Sequence, residues 1–247
     1  MNEAPEPYFE LVESLTARFR GLDAHGRPDQ DAPFTQDVAT VPLDAERACL
    51  RRVKSSHQGI SRRRRLRDLV AIAVDQAYLD EICVIDGLER LELSYPVTAH
   101  DLSGLRALTG LRHLAIDSPR NVTDFRPLLD IPSLRTLLIG NARHMKDIAW
   151  LADAHHLEVI GIEGSTWTQQ KVPSLSPLRG LEGMKAFFAT SVRIGDNDLS
   201  PLAACPQLEF LECARCVPRS EFERLQRLRP DLICYWFRWH MWDRHGW

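Results

Sequence analysis

Apolar residues recur along the chain in the pattern L-x-x-L-x-L, where L is any apolar residue, at a nearly fixed interval. The pattern falls on Leu88-Leu91-Leu93, Leu111-Leu114-Ile116, Leu134-Leu137-Ile139 and Leu157-Ile160-Ile162, 23 residues apart each time. It returns at Met184-Phe187-Ala189 and Leu208-Leu211-Cys213 after gaps of 27 and 24. A weaker copy lies 22 residues upstream at Leu66-Leu69-Ala71, and Leu232-Tyr235-Phe237 follows 24 residues after the last. Alternate positions of a strand point to opposite faces, so each motif predicts a short strand with one apolar edge.

A second landmark keeps step with the first. A capping-type residue precedes two apolar positions at Asp101-Leu102-Leu105, Asp124-Phe125-Leu128, Asp147-Ile148-Leu151, Ser174-Leu175-Leu178, Asp198-Leu199-Leu202 and Glu221-Phe222-Leu225. Asp and Ser accept hydrogen bonds from the free N–H groups of a first helical turn, so each landmark predicts a short helix. In the first repeat Tyr78-Leu79-Ile82 takes the equivalent place without a capping residue. One such unit cannot bury its own apolar edge, so neighbouring units must stack and share a core.

These repeats resemble the short leucine-rich repeats of the bacterial internalin-like kind, over about residues 66–237. The resemblance implies an α/β leucine-rich-repeat solenoid: a curved, parallel concave β-sheet with short helices or 3₁₀ turns on the convex side. Where that family usually places Asn or Cys after the strand, this chain has Val74, Pro96, Pro119, Ala142, Ser165, Val192 and Cys216. The Asn ladder that would satisfy the turning backbone is therefore absent, and a less regular solenoid with water completing the turns is expected. The 27-residue repeat carries a longer loop, Ser165–Pro173, which includes Trp167.

Solenoid ends expose core and need caps. Tyr8, Phe9, Val12, Leu15 and Phe19 recur at helical spacing and predict an amphipathic helix of about 14 residues ending near Gly21. Residues 23–36, rich in Asp, Gly and Pro, read as a linker, and a second short helix is expected from Asp44 to about Lys54. Four of the six tryptophans lie in the segment 232–247, which reads as a C-terminal cap, or alternatively as a Trp-rich binding patch. The expected organisation is a helical N-terminal cap and linker over 1–65, seven repeats over 66–231, and a terminal strand with its Trp-rich cap over 232–247.

Composition narrows the function. No apolar run reaches the roughly 18 residues that span a bilayer, so no membrane association is expected. The acidic start, Met1-Asn2-Glu3-Ala4-Pro5-Glu6, has no apolar segment of a secretory signal, and six scattered cysteines fit a reducing compartment; a cytoplasmic location is expected. A net charge of −3 argues against a nucleic-acid binder. The run Arg62-Arg63-Arg64-Arg65 is the sharpest basic cluster, but it has no interleaved aromatics and reads first as a solvated start of the first repeat.

Motifs of catalysis are missing: there is no G-x-S-x-G elbow, no phosphate-cradling Gly loop and no metalloprotease His pair. Cys213-x-x-Cys216 could be half a zinc site, but the repeat register places both cysteines in the scaffold, and no second pair completes four ligands. His240, Asp243 and His245 match no strong metal spacing, and His155-His156 sits in a polar turn before a strand. No enzyme activity, cofactor or metal is expected.

Function is expected on the concave face, at the strand positions between the apolar ones. Leu138, Val159, Phe188 and Phe210 form an apolar stripe there, although they point away from the repeat core. Arg90, Glu92, His113, Asp117, Glu163 and Glu212 surround the stripe, with Arg215 nearby. An apolar centre with a charged rim is a common plan for a protein-binding surface, and the acidic excess predicts a partner with a basic patch. A non-catalytic protein-binding module is the first reading, as an immunity or inhibitor protein or a regulatory adaptor. The alternatives are a nucleic-acid-associated factor using Arg62–Arg65, or a secreted bacterial effector. Packing of the stripe against the N-terminal segment or a second copy is the competing structural explanation.

Overall fold

The computed structural model describes residues 7–21, 32–214 and 216–244. The first described element is helix α1 (Pro7–Arg20), and from Phe34 the chain coils through short strands. In order these are β1 (Phe34–Thr35), β2 (Arg47–Arg51), β3 (Asp68–Val74), β4 (Arg90–Val97), β5 (His113–Asp117), β6 (Thr136–Gly140) and β7 (Val159–Glu163). The remaining strands are β8 (Gln170–Val172), β9 (Ala186–Phe188), β10 (Val192–Ile194), β11 (Phe210–Glu212) and β12 (Ile233–Cys234). All of them except β8 and β10 form one ten-stranded sheet in chain order, and every pairing is parallel. This is a leucine-rich-repeat solenoid. Registers join equivalent repeat positions, such as Leu91 with Leu114 and Leu114 with Leu137. At about 4.8 Å between strands the concave face is about 43 Å long.

The repeat leucines and isoleucines form one continuous core from Val38 to Trp242. The convex side is made of 3₁₀ turns at Ser103–Ala107, Arg126–Asp130, Ala149–Asp153 and Ser176–Leu178, helix α2 (Gln76–Ile82), helix α3 (Ser200–Ala203) and helix α4 (Arg219–Leu228). The capping landmarks act one residue earlier than a standard N-cap. Asp101, Asp124, Asp147, Ser174 and Asp198 each accept a hydrogen bond from the backbone N–H two residues on, at 2.8–3.0 Å. The first repeat is not uncapped, as its sequence suggested: Asp75, three residues before Tyr78, accepts from the Tyr78 N–H at 3.0 Å.

Two expectations from the sequence are corrected upstream of the repeats. Residues 44–54 do not form a helix. Arg47–Arg51 is strand β2, paired in parallel with β3, with Ala48, Cys49 and Leu50 all buried between two exposed arginines. The sheet therefore begins at Phe34, ahead of the first legible motif. The basic run is not one patch either. Arg63 is buried and donates to the carbonyls of Val38, Val41 and Gly59 at 2.7–3.1 Å, tying this first coil to the solenoid.

The turns after the strands are closed by the backbone. Ser118 and Asn141, immediately after β5 and β6, and Ser191, between β9 and β10, adopt left-handed φ of 54°, 51° and 57°, while Ala73, at 62°, sits at the register irregularity within β3 between Ile72 and Val74. The N–H groups of Ser118, Asn141 and Gly164 donate to carbonyls of the next coil, Gly140, Glu163 and Thr190, at 2.8–2.9 Å. These bonds do the work expected of an Asn ladder. The extra residues of the long repeat form loop 164–169 and then β8, which pairs with β10 as a separate two-stranded sheet.

At the C-terminal end, Trp242 is buried against Phe222 and Trp236, with ring centroids 5.3 Å apart in both pairs, and its indole N–H donates to the Trp236 carbonyl. Trp242 belongs to helix α5 (Trp239–Arg244).

Candidate functional site

The concave face has its own small core, because α1 lies across it. Phe19, Val12 and Leu15 of the helix pack on Val159, Ala186, Phe188, Phe210, Leu138 and Ile233 of the sheet. Phe19 stacks on Phe210 at 5.9 Å and 18°, and Phe210 meets Phe188 edge-on at 5.8 Å. Polar contacts run the length of the helix. The Tyr8 hydroxyl donates to the Cys234 carbonyl at 3.0 Å and accepts from the Cys234 N–H at 3.2 Å, pairing the backbone of the outermost strand. Thr16 donates to Glu212 at 3.1 Å. Arg20 grips Glu163 with two bonds of 2.6 and 2.8 Å and stacks 4.3 Å above the Phe188 ring. Fourteen residues rise about 21 Å. That is close to the span from β12 to β6, so the helix covers the C-terminal half of the face.

This placement divides the ten sequence-predicted site residues. Val159, Phe188 and Phe210 are buried under α1, so they are a second core and not open surface. Glu212 is engaged by Thr16 and lies 3.7 Å from Arg20. Arg90, Glu92, His113, Asp117, Leu138 and Glu163 line a pocket of about 810 Å³ at the C-terminal end of α1. Arg20 and residues of loop 164–169 form its other walls, and sequence reasoning did not assign either to the site. Arg215 lies outside the described residues.

Charge in the pocket is mostly balanced internally. Glu163 is neutralised by Arg20, and Arg90 lies 3.9 Å from Asp68. Glu92 and Asp117 accept hydrogen bonds from Ser94 and Ser118, both at 2.8 Å, and make no ion pair among the described residues. His113 is buried beneath Arg90. Burial first and the Arg90 charge second push its pKa down to about 3, so it is neutral at physiological pH. Its Nε2 has no hydrogen-bond partner.

The other candidates belong to the scaffold. All six cysteines are buried and unpaired. Burial, with the neighbouring Cys216 and Cys234, raises Cys213 well above an ordinary thiol. No group of three or more His, Cys, Asp or Glu suited to a metal occurs among the described residues. His240 is exposed on α5, whereas the Asp243 side chain and His245 lie outside the described residues. Burial, then Arg135 and His155, lowers the pKa of His156. No described helix is long and apolar enough to cross a membrane.

No protein-family model and no curated protein matches the chain. Among solved structures it is similar to an internalin (inlF) from Listeria monocytogenes, at 17% identity with a TM-score of 0.57. That match covers 84% of this chain and 59% of the internalin, so the chain spans well under two thirds of its neighbour's length. An internalin C2 (inlC2) from the same species matches at 19% identity and a TM-score of 0.47, covering 85% of this chain and 86% of the other. The first match agrees with the register of the strands: the fold is that of a leucine-rich-repeat protein.

Proposed function

We propose that the protein is a non-catalytic binding module that recognises a partner protein through the part of the concave face left open by α1. The observation that carries this reading is the pocket itself. It is large enough to admit a side chain and its flanking backbone, and it has Leu138 on its floor and polar groups around it. An apolar base ringed by polar atoms suits a protein anchor. Glu92 and Asp117 are its unneutralised charges, so the partner's anchor is a cationic side chain, Arg or Lys, reaching between them. The basic-patch partner expected from the sequence narrows to a single basic finger, because Arg20 already satisfies Glu163.

A module of this kind acts by covering a surface, as an inhibitor or immunity protein or as a regulatory adaptor. Six free cysteines fit a reducing, cytoplasmic setting. The test compares the proteins retained by the native chain with those retained by a Glu92→Gln/Asp117→Asn double variant of equal thermal stability. The reading expects a partner that is enriched on the native chain and lost from the variant. Equal recovery on both would remove it.

A further inference from the structure

A second groove runs along the edge of the solenoid where the chain leaves β4 to β7, on the far side of loop 164–169, which it shares with the concave pocket. It is a cavity of about 940 Å³ lined by Tyr95, Arg120, Arg143, Lys146 and Lys171, with amides and hydroxyls between them and no acidic side chain. That composition is unusual in a chain with 34 acidic against 31 basic residues. Arg143, Lys146 and Lys171 are exposed and form no ion pair among the described residues. Two of the four lysines of the chain meet in this groove.

Three further observations point to a ligand. Lys171 on β8 stands in register beside Arg193 on β10, both facing solvent between buried neighbours, so two like charges are adjacent across the small sheet. Such a pair weakens a sheet unless an anion sits over it. Arg120 is pre-positioned, with its guanidinium 4.9 Å over the half-exposed Tyr95 ring and a hydrogen bond to the Tyr95 hydroxyl. Finally, loop 164–169 carries Trp167, which is 91% exposed, and the loop is held against the groove. Thr168 donates to the Asn141 side chain at 2.9 Å, and the Ser165 hydroxyl accepts the N–H groups of Trp167 and Thr168 at 3.2 and 3.0 Å. An exposed Trp on an ordered loop at a cationic groove is the form of an interface anchor.

We propose that this groove binds an acidic segment of a protein, whose carboxylates pair with Arg143, Lys146 and Lys171 while an adjoining apolar side chain packs on Trp167. A short acidic segment is favoured over a nucleic acid because the cationic stretch is bounded. Past the groove the convex side presents exposed Asp101 and Asp147, whereas Asp124 is paired with Arg126. Those two carboxylates repel a polyanion that extends past the groove. The proposal does not depend on the concave pocket being used.

The test is fluorescence anisotropy at low salt, with three labelled probes added to the full chain. They are a ten-residue peptide alternating glutamate and leucine, the same peptide with glutamine for glutamate, and a ten-nucleotide oligothymidylate. The expected result is that the glutamate peptide binds, the glutamine peptide does not, and oligothymidylate binds more weakly than the glutamate peptide. Lys146→Glu/Lys171→Glu should weaken the glutamate peptide at least tenfold. Arg64→Glu/Arg65→Glu, at the other basic run, should leave it unchanged. If the charge-reversed groove fails to fold, Lys146→Gln/Lys171→Gln should still weaken the peptide severalfold. Failure of the glutamate peptide to bind, binding indifferent to both groove variants, or tighter binding of oligothymidylate would each overturn the proposal.

Discussion

Replacing Phe19 by Ala should release α1 from the concave face while leaving the solenoid folded. Phe19 is only 7% exposed and stacks on Phe210, with Val159, Ala186 and Phe188 completing the cluster. Burying a Phe contributes about 1.5–3 kcal/mol, and a stacked aromatic pair adds roughly 0.5–1.5. Core Phe→Ala truncations cost about 3–5 kcal/mol. The lower end applies here, because the helix lies on one side of the cluster and the gap can relax toward solvent. A local loss of about 3 kcal/mol shifts the docking equilibrium by roughly two powers of ten. A helix of 14 residues is marginal on its own in water, so undocking and unfolding of α1 are one event. Hydrogen exchange followed by mass spectrometry reads this directly. Amides of residues 12–20 should exchange about a hundredfold faster in the variant, while β4 to β6 keep their protection. A dye that binds exposed apolar surface should report the uncovered Phe188 and Phe210. The reasoning is refuted if exchange in 12–20 is unchanged, or if it rises together with exchange in β4 to β6. The first result means that Phe19 does not hold the helix, and the second that α1 is no separate unit.

Three further outcomes follow from the same geometry. Stability should fall as pH drops below about 6.5, because the unfolded His113 takes up a proton and the folded one, with its pKa near 3, does not. The slope from this group approaches about 1.4 kcal/mol per pH unit. His156 acts in the same direction. His113→Asn should flatten the curve between pH 6.5 and 4, and denaturant melts that superimpose in slope would refute the assignment. Arg20→Gln and Glu163→Gln should each destabilise the docked helix, with a coupling of about 1–3 kcal/mol in a double-mutant cycle read by exchange of α1; a coupling near zero would show that the bidentate pair contributes nothing. Gly164→Ala should disorder loop 164–169, because a Cβ there would lie 2.2 Å from the Ser191 carbonyl oxygen and 2.6 Å from that of Thr168. The expected cost is about 1–3 kcal/mol in thermal melts, with faster proteolysis beside Trp167; a variant as stable and as resistant as the parent would contradict the close approach.

The fold was legible wherever two periodicities coincided. From Leu66 onward a strand motif and a helical landmark keep step, and the structure places a strand at every motif in a single parallel sheet, the last cut to Ile233–Cys234 because Tyr235–Phe237 turns into a 3₁₀ helix. Upstream the landmarks fail. Arg47–Arg51 has only Ala48, Cys49 and Leu50 between charged residues, too short a run to separate a strand from a helix. Its conformation is set by pairing with β3, which supplies the hydrogen bonds that local sequence cannot specify. The turns were misjudged for a similar reason. The residues that leave the sheet, such as Ser118 and Asn141, are satisfied by carbonyls one coil away, and a reading of single side chains cannot see them.

The candidate site was half legible, and the missing half had a signal. The apolar stripe of Leu138, Val159, Phe188 and Phe210 was read first as open because it points away from the repeat core, with packing against the N-terminal segment or a second copy as the competing explanation, and the stripe of Val12, Leu15 and Phe19 was read as a cap on the first repeat. A chain that carries both a sheet face and an amphipathic helix with unassigned apolar surface lowers its free energy by joining them, provided the linker reaches. Ten residues separate Gly21 from Ala32, and fully extended they span about 33 Å, enough to carry the chain from the end of α1 back to β1. The polar residues settle the direction. Arg20 at the helix C-terminus meets Glu163 of β7, and Tyr8 at the other end meets β12, so the reversed helix would leave Arg20 without its carboxylate partner. The acidic residues near the stripe were therefore of two kinds. Glu163 and Glu212 complement the chain's own helix, whereas Glu92 and Asp117 make no ion pair among the described residues.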